Sequence, residues 1–278
     1  MKRIIEQIKE AIGSHYPATE VVALTRIIAT ELLGVSQTAC YLKEPVTLSN
    51  AQVHCLTDTI ERLAAHEPIQ YILGYCDFCG HRFKVNQSTL IPRPETSELV
   101  EWIASEKPCG ATILDIGTGS GCIAISLALQ LPTSDVTAWD ISADALEVAA
   151  ENSKSNNAQV RFKQVDILGY TPKEERFDII VSNPPYIKEN EKEAMHSNVL
   201  DWEPHTALFV PDNDPLLFYR TIAQKSLTML NNGGKLYFEI NRAHGTDTVE
   251  LLSGLGYRDI ELRKDIFGND RMVKATRL

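Results

Sequence analysis

The sequence contains no hydrophobic run approaching the ~20 residues that a membrane-spanning helix requires. It also lacks an excess of positive charge, since 37 acidic residues against 27 lysines and arginines leave a net charge of −10. That balance argues against a protein that coats DNA or RNA, because such binding depends on clustered Lys and Arg. Residues 1–10 are charged and amphipathic, unlike a signal peptide. These absences predict a cytoplasmic protein with no membrane contact and no direct nucleic-acid partner.

The six cysteines lack the spacing of a disulfide framework. Cys76 and Cys79 form a Cys-x-x-Cys pair that invites a zinc or redox interpretation, but no second pair accompanies it. We therefore favour free, partly buried thiols in a reducing compartment and predict no metal site.

The chain does have enough apolar sequence for sizeable cores, with 44% hydrophobic residues over 278 positions. Residues 1–74 have helical periodicity and predict an N-terminal helical bundle. Within it, Thr19 is placed to cap a helix that Gly34 ends, and Ser49 with Gln52 forms a capping-box pattern. Because the bundle carries no evident catalytic group, we expect it to act in substrate recognition.

A β-hairpin linker is predicted over residues 75–95, where residues 83–86 alternate in polarity and Asn86-Gln87-Ser88 is a turn cluster. Strands and helices then alternate over residues 96–278, which predicts an α/β domain. The predicted strands cover residues 113–116, 136–140, 160–166, 177–181, 235–240, 257–262 and 272–275. We expect the last two to close the sheet as an antiparallel pair.

A glycine-rich loop, Gly117-Thr118-Gly119-Ser120-Gly121, follows the first of these strands and precedes a helical segment. Its glycines permit a tight turn and a close backbone approach to a ligand at a helix N-terminus. The loop is not a full dinucleotide fingerprint, Gly-x-Gly-x-x-Gly, because Cys122 occupies the position at which that pattern requires its third glycine. It is not a nucleotide-triphosphate loop either, since no Gly-Lys-Ser/Thr follows.

Acidic residues follow the next two strands. Asp140 ends the strand about 20 residues beyond the glycines, where an acid is placed to bind a ribose diol. Asp166 ends the third strand, where its carboxylate could accept from an adenine amine while Ile167 covers the ring face. Asp115, within the first strand, could instead brace the loop backbone. Ligands of open α/β sheets bind along this edge, which predicts a nucleoside-like cofactor there.

Asn183-Pro184-Pro185-Tyr186 follows the fourth strand. Two successive prolines remove two amide donors and fix two φ angles, so the chain leaves the strand stiffly. The Asn183 side chain and the carbonyls of Asn183 and Pro184 can then accept the protons of a planar –NH2 group, and the Tyr186 ring can cover its plane. A rigid turn without chemistry is the plainer alternative.

In order and context, these motifs resemble those of the class I S-adenosylmethionine-dependent methyltransferases. The segment Leu90-Ile91-Pro92-Arg93-Pro94-Glu95-Thr96 makes the chain more closely similar to the HemK-type glutamine methyltransferases, which modify peptide chain release factors. The likeness runs over most of the chain and includes Glu203-Pro204 and residues 265–271. It departs at Phe209-Val210-Pro211, where the family usually has glycine, and at Asn241, where Glu-Ile-Gly is usual. We expect both departures to affect loop geometry and not the reaction.

The resemblance implies a Rossmann-like seven-stranded methyltransferase sheet over residues 96–278, with S-adenosylmethionine as cofactor and S-adenosylhomocysteine as product. The implied partners are class 1 release factors, methylated on the glutamine side-chain amide of their Gly-Gly-Gln motif. Arg93 and Glu95 are expected near the cofactor pocket, as a salt-linked segment or as part of the site. The cofactor-binding residues are predicted to be Gly117, Thr118, Gly119, Ser120, Gly121, Asp140, Asp166, Ile167 and Asn183. Substrate binding is assigned to Asn183, Pro184, Pro185 and Tyr186, and catalysis to Asn183, Pro184 and Tyr186.

The residues alone leave three other functions possible. A ribosomal-protein glutamine could be the acceptor instead. An adenine amine in nucleic acid also suits the Asn-Pro-Pro-Tyr loop, but such an enzyme must flip its base and grip phosphates, which the acidic balance disfavours. A non-catalytic cofactor-binding or helical interaction protein is the third alternative, which an intact Asn-Pro-Pro-Tyr disfavours.

Overall fold

The computed structural model describes residues 1–278, with the side chain of Ala194 excepted. The chain divides into two compact units. The smaller comprises Met1–Gly74 with His196–Trp202, and the larger comprises Tyr75–Met195 with Glu203–Leu278. Among the described residues, no helix combines the length and the apolar character needed to cross a membrane.

The smaller unit is helical, which confirms the predicted N-terminal bundle. Its helices are α1 (Lys2–Ile12), α2 (Ala18–Ile27), α3 (Gln37–Leu42), α4 (Asn50–Ala64) and α5 (Ile69–Leu73), with a π-helical turn at Ile28–Leu32 and a short helix at Ser197–Leu200. Helix α1 buries Ile4, Ile8 and Ile12 along one face, in a shared apolar core.

The predicted caps of this unit fared differently. The capping box of α4 is present, since Ser49 Oγ accepts from Gln52 N at 3.3 Å and Gln52 Oε1 accepts from Ser49 N at 2.9 Å. The predicted cap at Thr19 is wrong, because α2 begins at Ala18 directly after Pro17. Proline suits a helix start because its φ is already fixed near the helical value.

The larger unit has an α/β fold. Its strands are β1 (Tyr75–Phe78), β2 (His81–Lys84), β3 (Thr112–Ile116), β4 (Asp135–Asp140), β5 (Val160–Gln164), β6 (Phe177–Ser182), β7 (Ile187–Lys188), β8 (Phe209–Val210), β9 (Leu230–Glu239), β10 (Arg258–Lys264) and β11 (Asp270–Thr276). Its helices are α6 (Pro94–Ser105), α7 (Cys122–Gln130), α8 (Ala143–Ser155), α9 (Leu217–Met229) and α10 (Gly245–Gly254).

The main sheet has seven strands, as predicted, and their order is β10-β11-β9-β6-β3-β4-β5. Strands β3, β4, β5, β6 and β9 are parallel, and β10 and β11 close the sheet as an antiparallel pair. The central strands β3 and β6 are almost wholly buried, as expected for apolar runs covered on both faces. Since β6, β3, β4 and β5 are parallel neighbours, the segments that follow them meet at one edge of the sheet.

Strands β1 and β2 form the predicted hairpin, but its turn lies at Cys79-Gly80 and not at Asn86–Ser88. Both turn residues have positive φ, 48° and 78°, which matches the twist of a two-residue hairpin. Asn86 instead begins a separate turn, in which its side chain accepts from Ser88 N at 2.9 Å. The Cys-x-x-Cys pair thus spans a hairpin turn, and both thiols are free.

Candidate active site

A cavity of about 340 Å³ lies at the carboxyl ends of β3, β4, β5 and β6. Its wall includes Gly117, Gly119, Asp140, Ile141, Asp166, Ile167, Leu168, Asn183, Pro184, Pro185, Pro204 and Phe209. The structure therefore brings together members of all four predicted motifs. Four of the predicted site residues are not in its wall, namely Thr118, Ser120, Gly121 and Tyr186.

The glycine loop presents backbone to this cavity. Gly117 and Gly119 have φ of 75° and 54°, and no described heavy atom beyond their chain neighbours lies within 4 Å of where a Cβ would stand. Gly117 N and Thr118 N both donate to the Trp139 carbonyl, at 2.8 and 3.0 Å, which ties the loop to β4. The open side of the loop can therefore accept a ligand in direct contact with its backbone.

The other loop residues have structural contacts. A Cβ on Gly121 would stand 2.8 Å from Ile125 Cδ1 and 3.1 Å from Ala149 Cβ, so this glycine permits close helix packing. Thr118 is buried, and its hydroxyl donates to Asp115 Oδ2 at 2.6 Å. Ser120 is buried as well, and its carbonyl accepts from Asn152 Nδ2 at 2.9 Å.

Asp115 braces this loop from below the cavity. Its carboxyl group is fully buried, and burial raises its pKa to about 7. The hydrogen bond from Thr118 favours the ionised form but does not offset the loss of hydration. The contacts of Asp115 are therefore those of a loop brace.

Asp140 joins the glycine loop to the start of α8. Its Oδ2 accepts from Gly119 N at 2.8 Å, and its Oδ1 accepts from Ser142 N at 2.9 Å. Burial raises the pKa of this carboxyl, while both backbone donors favour its charged form. A carboxylate accepts about four hydrogen bonds, so Asp140 keeps acceptor capacity for a ribose hydroxyl beside its backbone donors.

Three apolar residues, Ile141, Ile167 and Leu168, line the cavity together with the acid Asp166. Asp166 follows β5 by two residues, and its Oδ1 accepts from Leu168 N at 2.9 Å. Ile141 and Leu168 remain 55% and 41% exposed beside the cavity, although both are large and apolar. Sequence reasoning had not singled out these two residues. Their signal was an apolar residue one or two positions after each acid, where a flat ring could be covered.

The first three residues of the Asn-Pro-Pro-Tyr segment form another part of the wall. Ser182 anchors the start of the segment, donating from Oγ to the Ile116 carbonyl at 2.6 Å. Asn183, Pro184 and Pro185 line the cavity. Tyr186 does not, because its ring packs against the apolar core near Tyr219, and burial raises the pKa of its hydroxyl. Strands β7 and β8 follow as a small parallel pair, so Phe209-Val210 forms a strand where the family usually has glycine.

Arg93 pairs with Glu203 and not, as one interpretation held, with Glu95. The Arg93 guanidinium donates to Glu203 Oε1, while Ile91 N donates to Glu203 Oε2 at 3.1 Å. The Glu203 carboxylate is buried, so both partners compensate its lost hydration. Since Leu90 and Pro204 line the cavity, this ion pair joins two segments of its wall.

Another buried carboxyl group, that of Glu239, ends strand β9. Glu239 Oε2 accepts from Thr96 Oγ1 at 2.6 Å, and burial raises the pKa of Glu239 to about 7. The sequence alone did not identify Glu239 as a site residue. Its environment depends on Thr96, 143 residues away in sequence, which no local pattern reveals.

Comparison with known proteins agrees with this geometry. Residues 95–201 match the family described as methyltransferase small domain, and residues 3–74 match the PrmC N-terminal domain. The chain is 49% identical to a protein of Bacteroides thetaiotaomicron named release factor glutamine methyltransferase, covering 100% of both chains. It is 45% identical to a protein of the same name from Flavobacterium psychrophilum, over 99% of this chain and 98% of that one. A crystal structure of a methyltransferase from Pyrococcus furiosus shares the fold, with a TM-score of 0.53 at 20% identity, over 79% of this chain and 98% of the other.

Proposed function

The chain belongs to the family of release factor glutamine methyltransferases, and from that premise we propose that it methylates a release factor. The methyl group passes from S-adenosylmethionine to the side-chain amide nitrogen of the glutamine in the Gly-Gly-Gln motif of class 1 release factors. The sulfur–methyl bond breaks as the nitrogen–methyl bond forms, S-adenosylhomocysteine leaves, and the nitrogen releases one of its two protons to solvent. One observation carries this proposal. Gly117, Gly119 and Asp140 line the same cavity as Asn183, Pro184 and Pro185.

The residues present fit S-adenosylmethionine. Gly117 and Gly119 leave open space where a side chain would stand, and Asp140 has free acceptor capacity for a ribose diol. Ile141 and Leu168 offer exposed apolar surface to the adenine ring, with Asp166 beside them as an acceptor for its amine. When bound, the cofactor supplies an electrophilic methyl group on a sulfonium centre.

Asn183 and Pro184 then prepare the acceptor amide. A carboxamide nitrogen is a poor nucleophile because its lone pair is delocalised into the carbonyl. The Asn183 side-chain oxygen and the Pro184 carbonyl accept hydrogen bonds from the two N–H groups of this amide. These hydrogen bonds orient the developing lone pair and stabilise the positive charge that builds on the nitrogen. The remaining rate acceleration comes from holding the reacting atoms in alignment. We assign Tyr186 to anchoring the segment, because its ring packs in the core.

The direct test offers labelled S-adenosylmethionine with three separate acceptors: a class 1 release factor, ribosomal proteins and DNA. We expect label in the release factor alone, on the peptide that contains Gly-Gly-Gln. Label in ribosomal protein or DNA, with an unlabelled release factor, would contradict the proposal. A release factor whose acceptor glutamine is replaced by alanine is the matched control and should stay unlabelled.

We further propose that residues 1–74 recognise the release factor, that 75–95 form a linker and that 96–278 are the methyltransferase domain. The smaller unit has a groove of about 850 Å³, into which Val22, Tyr41 and Leu42 contribute exposed apolar surface. Among the described residues, the charged side chains lining it are Lys9, Arg26 and Lys43. An acidic, apolar segment of the release factor complements such a groove.

Substitution within the groove tests this assignment. Arg26→Glu with Tyr41→Ser should raise KM for the whole release factor and leave KM for a short Gly-Gly-Gln peptide unchanged, because the peptide lacks the segment that the groove is proposed to bind. Arg3→Glu is the matched control, since Arg3 is exposed and outside the groove. An unchanged KM for the whole factor would refute recognition by this surface.

A further inference from the structure

Asn241 occupies a position that faces the Asn-Pro-Pro-Tyr segment. It follows Glu239, the last residue of β9, by two positions. Strands β6 and β9 are parallel neighbours, with Ser182 opposite Phe238. The chain leaving β9 therefore runs beside the chain leaving β6.

Three hydrogen bonds fix Asn241. Its backbone N donates to the hydroxyl of buried Tyr219 at 3.2 Å, and its Nδ2 donates to the Tyr186 carbonyl at 3.3 Å. Its Oδ1 accepts from Ala243 N at 2.9 Å. The two ends of the amide meet opposite partners, so rotating it by half a turn would lose both bonds.

Backbone geometry does not require glycine at this position. Asn241 has φ of −64° and ψ of 129°, which any residue adopts. Asparagine therefore adopts this conformation without strain, and its side chain supplies a hydrogen-bond donor.

The Tyr186 ring and Ser182 anchor the segment that Asn241 contacts, but its backbone makes few hydrogen bonds. Pro184 and Pro185 have no N–H to donate. Beyond them, Tyr186 N and Ile187 N both donate to a single acceptor, the Leu208 carbonyl, at 3.2 and 2.9 Å. Asn241 holds the peptide group of Tyr186 from its carbonyl side. The stiff prolines transmit that restraint towards the Pro184 carbonyl and Asn183.

We propose that Asn241 is a positioning residue for the methyl transfer, acting through the Tyr186 carbonyl. The inference rests on the proposed function and deepens it. Asn241 itself is not part of the cavity wall. It restricts the directions in which the acceptors of Asn183 and Pro184 point, which is where a small displacement costs most in rate.

The Asn241→Asp variant distinguishes the hydrogen bond that the side chain donates to the Tyr186 carbonyl from the one that it accepts from Ala243 N. Aspartate keeps an acceptor for Ala243 N but cannot donate to the Tyr186 carbonyl, whereas Asn241→Gly loses both interactions. We expect both variants to fold and to lower the single-turnover methylation rate about tenfold, the equivalent of one hydrogen bond. The affinity for S-adenosylmethionine and KM for the release factor should stay within about twofold of wild type, because Asn241 lies outside the cavity wall.

Amide hydrogen exchange supplies a readout that needs no activity. In Asn241→Asp, exchange at Tyr186 and Ile187 should accelerate, while exchange in the central strand β3 stays unchanged. A wild-type rate in both variants overturns the role of Asn241, and so does a slower rate with unchanged exchange at Tyr186 and Ile187. A wild-type enzyme that leaves the release factor unmethylated instead overturns the proposed function, so the two failures are distinguishable.

Discussion

The backbone amide of Gly119 donates a 2.8 Å hydrogen bond to the carboxylate of Asp140. This bond joins the loop after β3 to the end of β4, and both residues line the cavity. The acid proposed to hold the ribose thus also holds the glycine loop in place. Loss of Asp140 should therefore affect the cofactor site twice, through the missing ligand and through the released loop.

Replacing Asp140 with alanine should weaken S-adenosylmethionine binding by about 10- to 100-fold, as expected for loss of hydrogen bonds to a charged group. The protein should remain folded, because Asp140 lies at the cavity and not within the apolar core. Calorimetric titration measures the affinity. Asp144→Ala, on the exposed face of α8, is the matched control and should bind as wild type. Unchanged affinity in Asp140→Ala would exclude Asp140 as the ribose ligand.

Two glycines of the loop should respond differently to alanine. Gly121→Ala places a Cβ 2.8 Å from Ile125 Cδ1 at a φ of 82°, so the free energy of unfolding should fall by on the order of 2–3 kcal/mol. Gly119→Ala meets no described atom within 4 Å, so it should cost about 1 kcal/mol in stability but obstruct the cofactor. Denaturant unfolding and calorimetric titration separate the two effects. Equal losses of cofactor affinity in both variants would contradict this division of roles.

The Arg93–Glu203 pair should contribute measurably to stability. Glu203→Ala removes a buried carboxylate that holds both Arg93 and Ile91 N, and we expect a loss of about 2–3 kcal/mol in the free energy of unfolding. A double-mutant cycle with Arg93→Ala should give a clear coupling energy. Glu151→Ala, which breaks the exposed pair with Lys84, is the control and should cost less than about 1 kcal/mol. Additive losses at Arg93 and Glu203 would show that the pair does not act as a unit.

The raised pKa of Asp115 predicts that the stability of the protein depends on pH. Burial raises the pKa of this carboxyl from 3.8 to about 7, so the folded protein holds its proton more tightly than the unfolded chain. The contribution of this tightly held proton to the free energy of unfolding is therefore fully present at low pH, and it is lost as pH rises towards 7. Between about pH 5 and pH 7, wild type should lose stability relative to Asp115→Asn, which keeps an acceptor for Thr118 but does not titrate. Glu239 has a similarly raised pKa but is common to both proteins. Parallel stability curves would contradict the raised pKa.

Much of the site was predictable because its signals are local. An apolar strand followed by glycines, or by an acid, identifies the carboxyl end of a parallel strand, and such ends meet at one sheet edge. The pairing of Arg93 with Glu203 was not predictable, because 110 residues separate them and no periodicity connects them. The same holds for Asn241 and Tyr186, which are 55 residues apart. The prediction that Tyr186 stacks on the substrate amide remains untested, but its ring lies outside the cavity wall.

The central claim is that Asn183 orients the target amide for methyl transfer. Its most direct test is the single-turnover rate at which wild type, Asn183→Ala and Asn183→Asp methylate the Gly-Gly-Gln glutamine of a release factor. We predict that alanine lowers this rate by on the order of 10²–10³-fold, as for other preorganised groups, with little change in cofactor affinity. Aspartate, which keeps an acceptor of similar shape, should retain more activity than alanine. Equal rates for alanine and wild type would contradict the account.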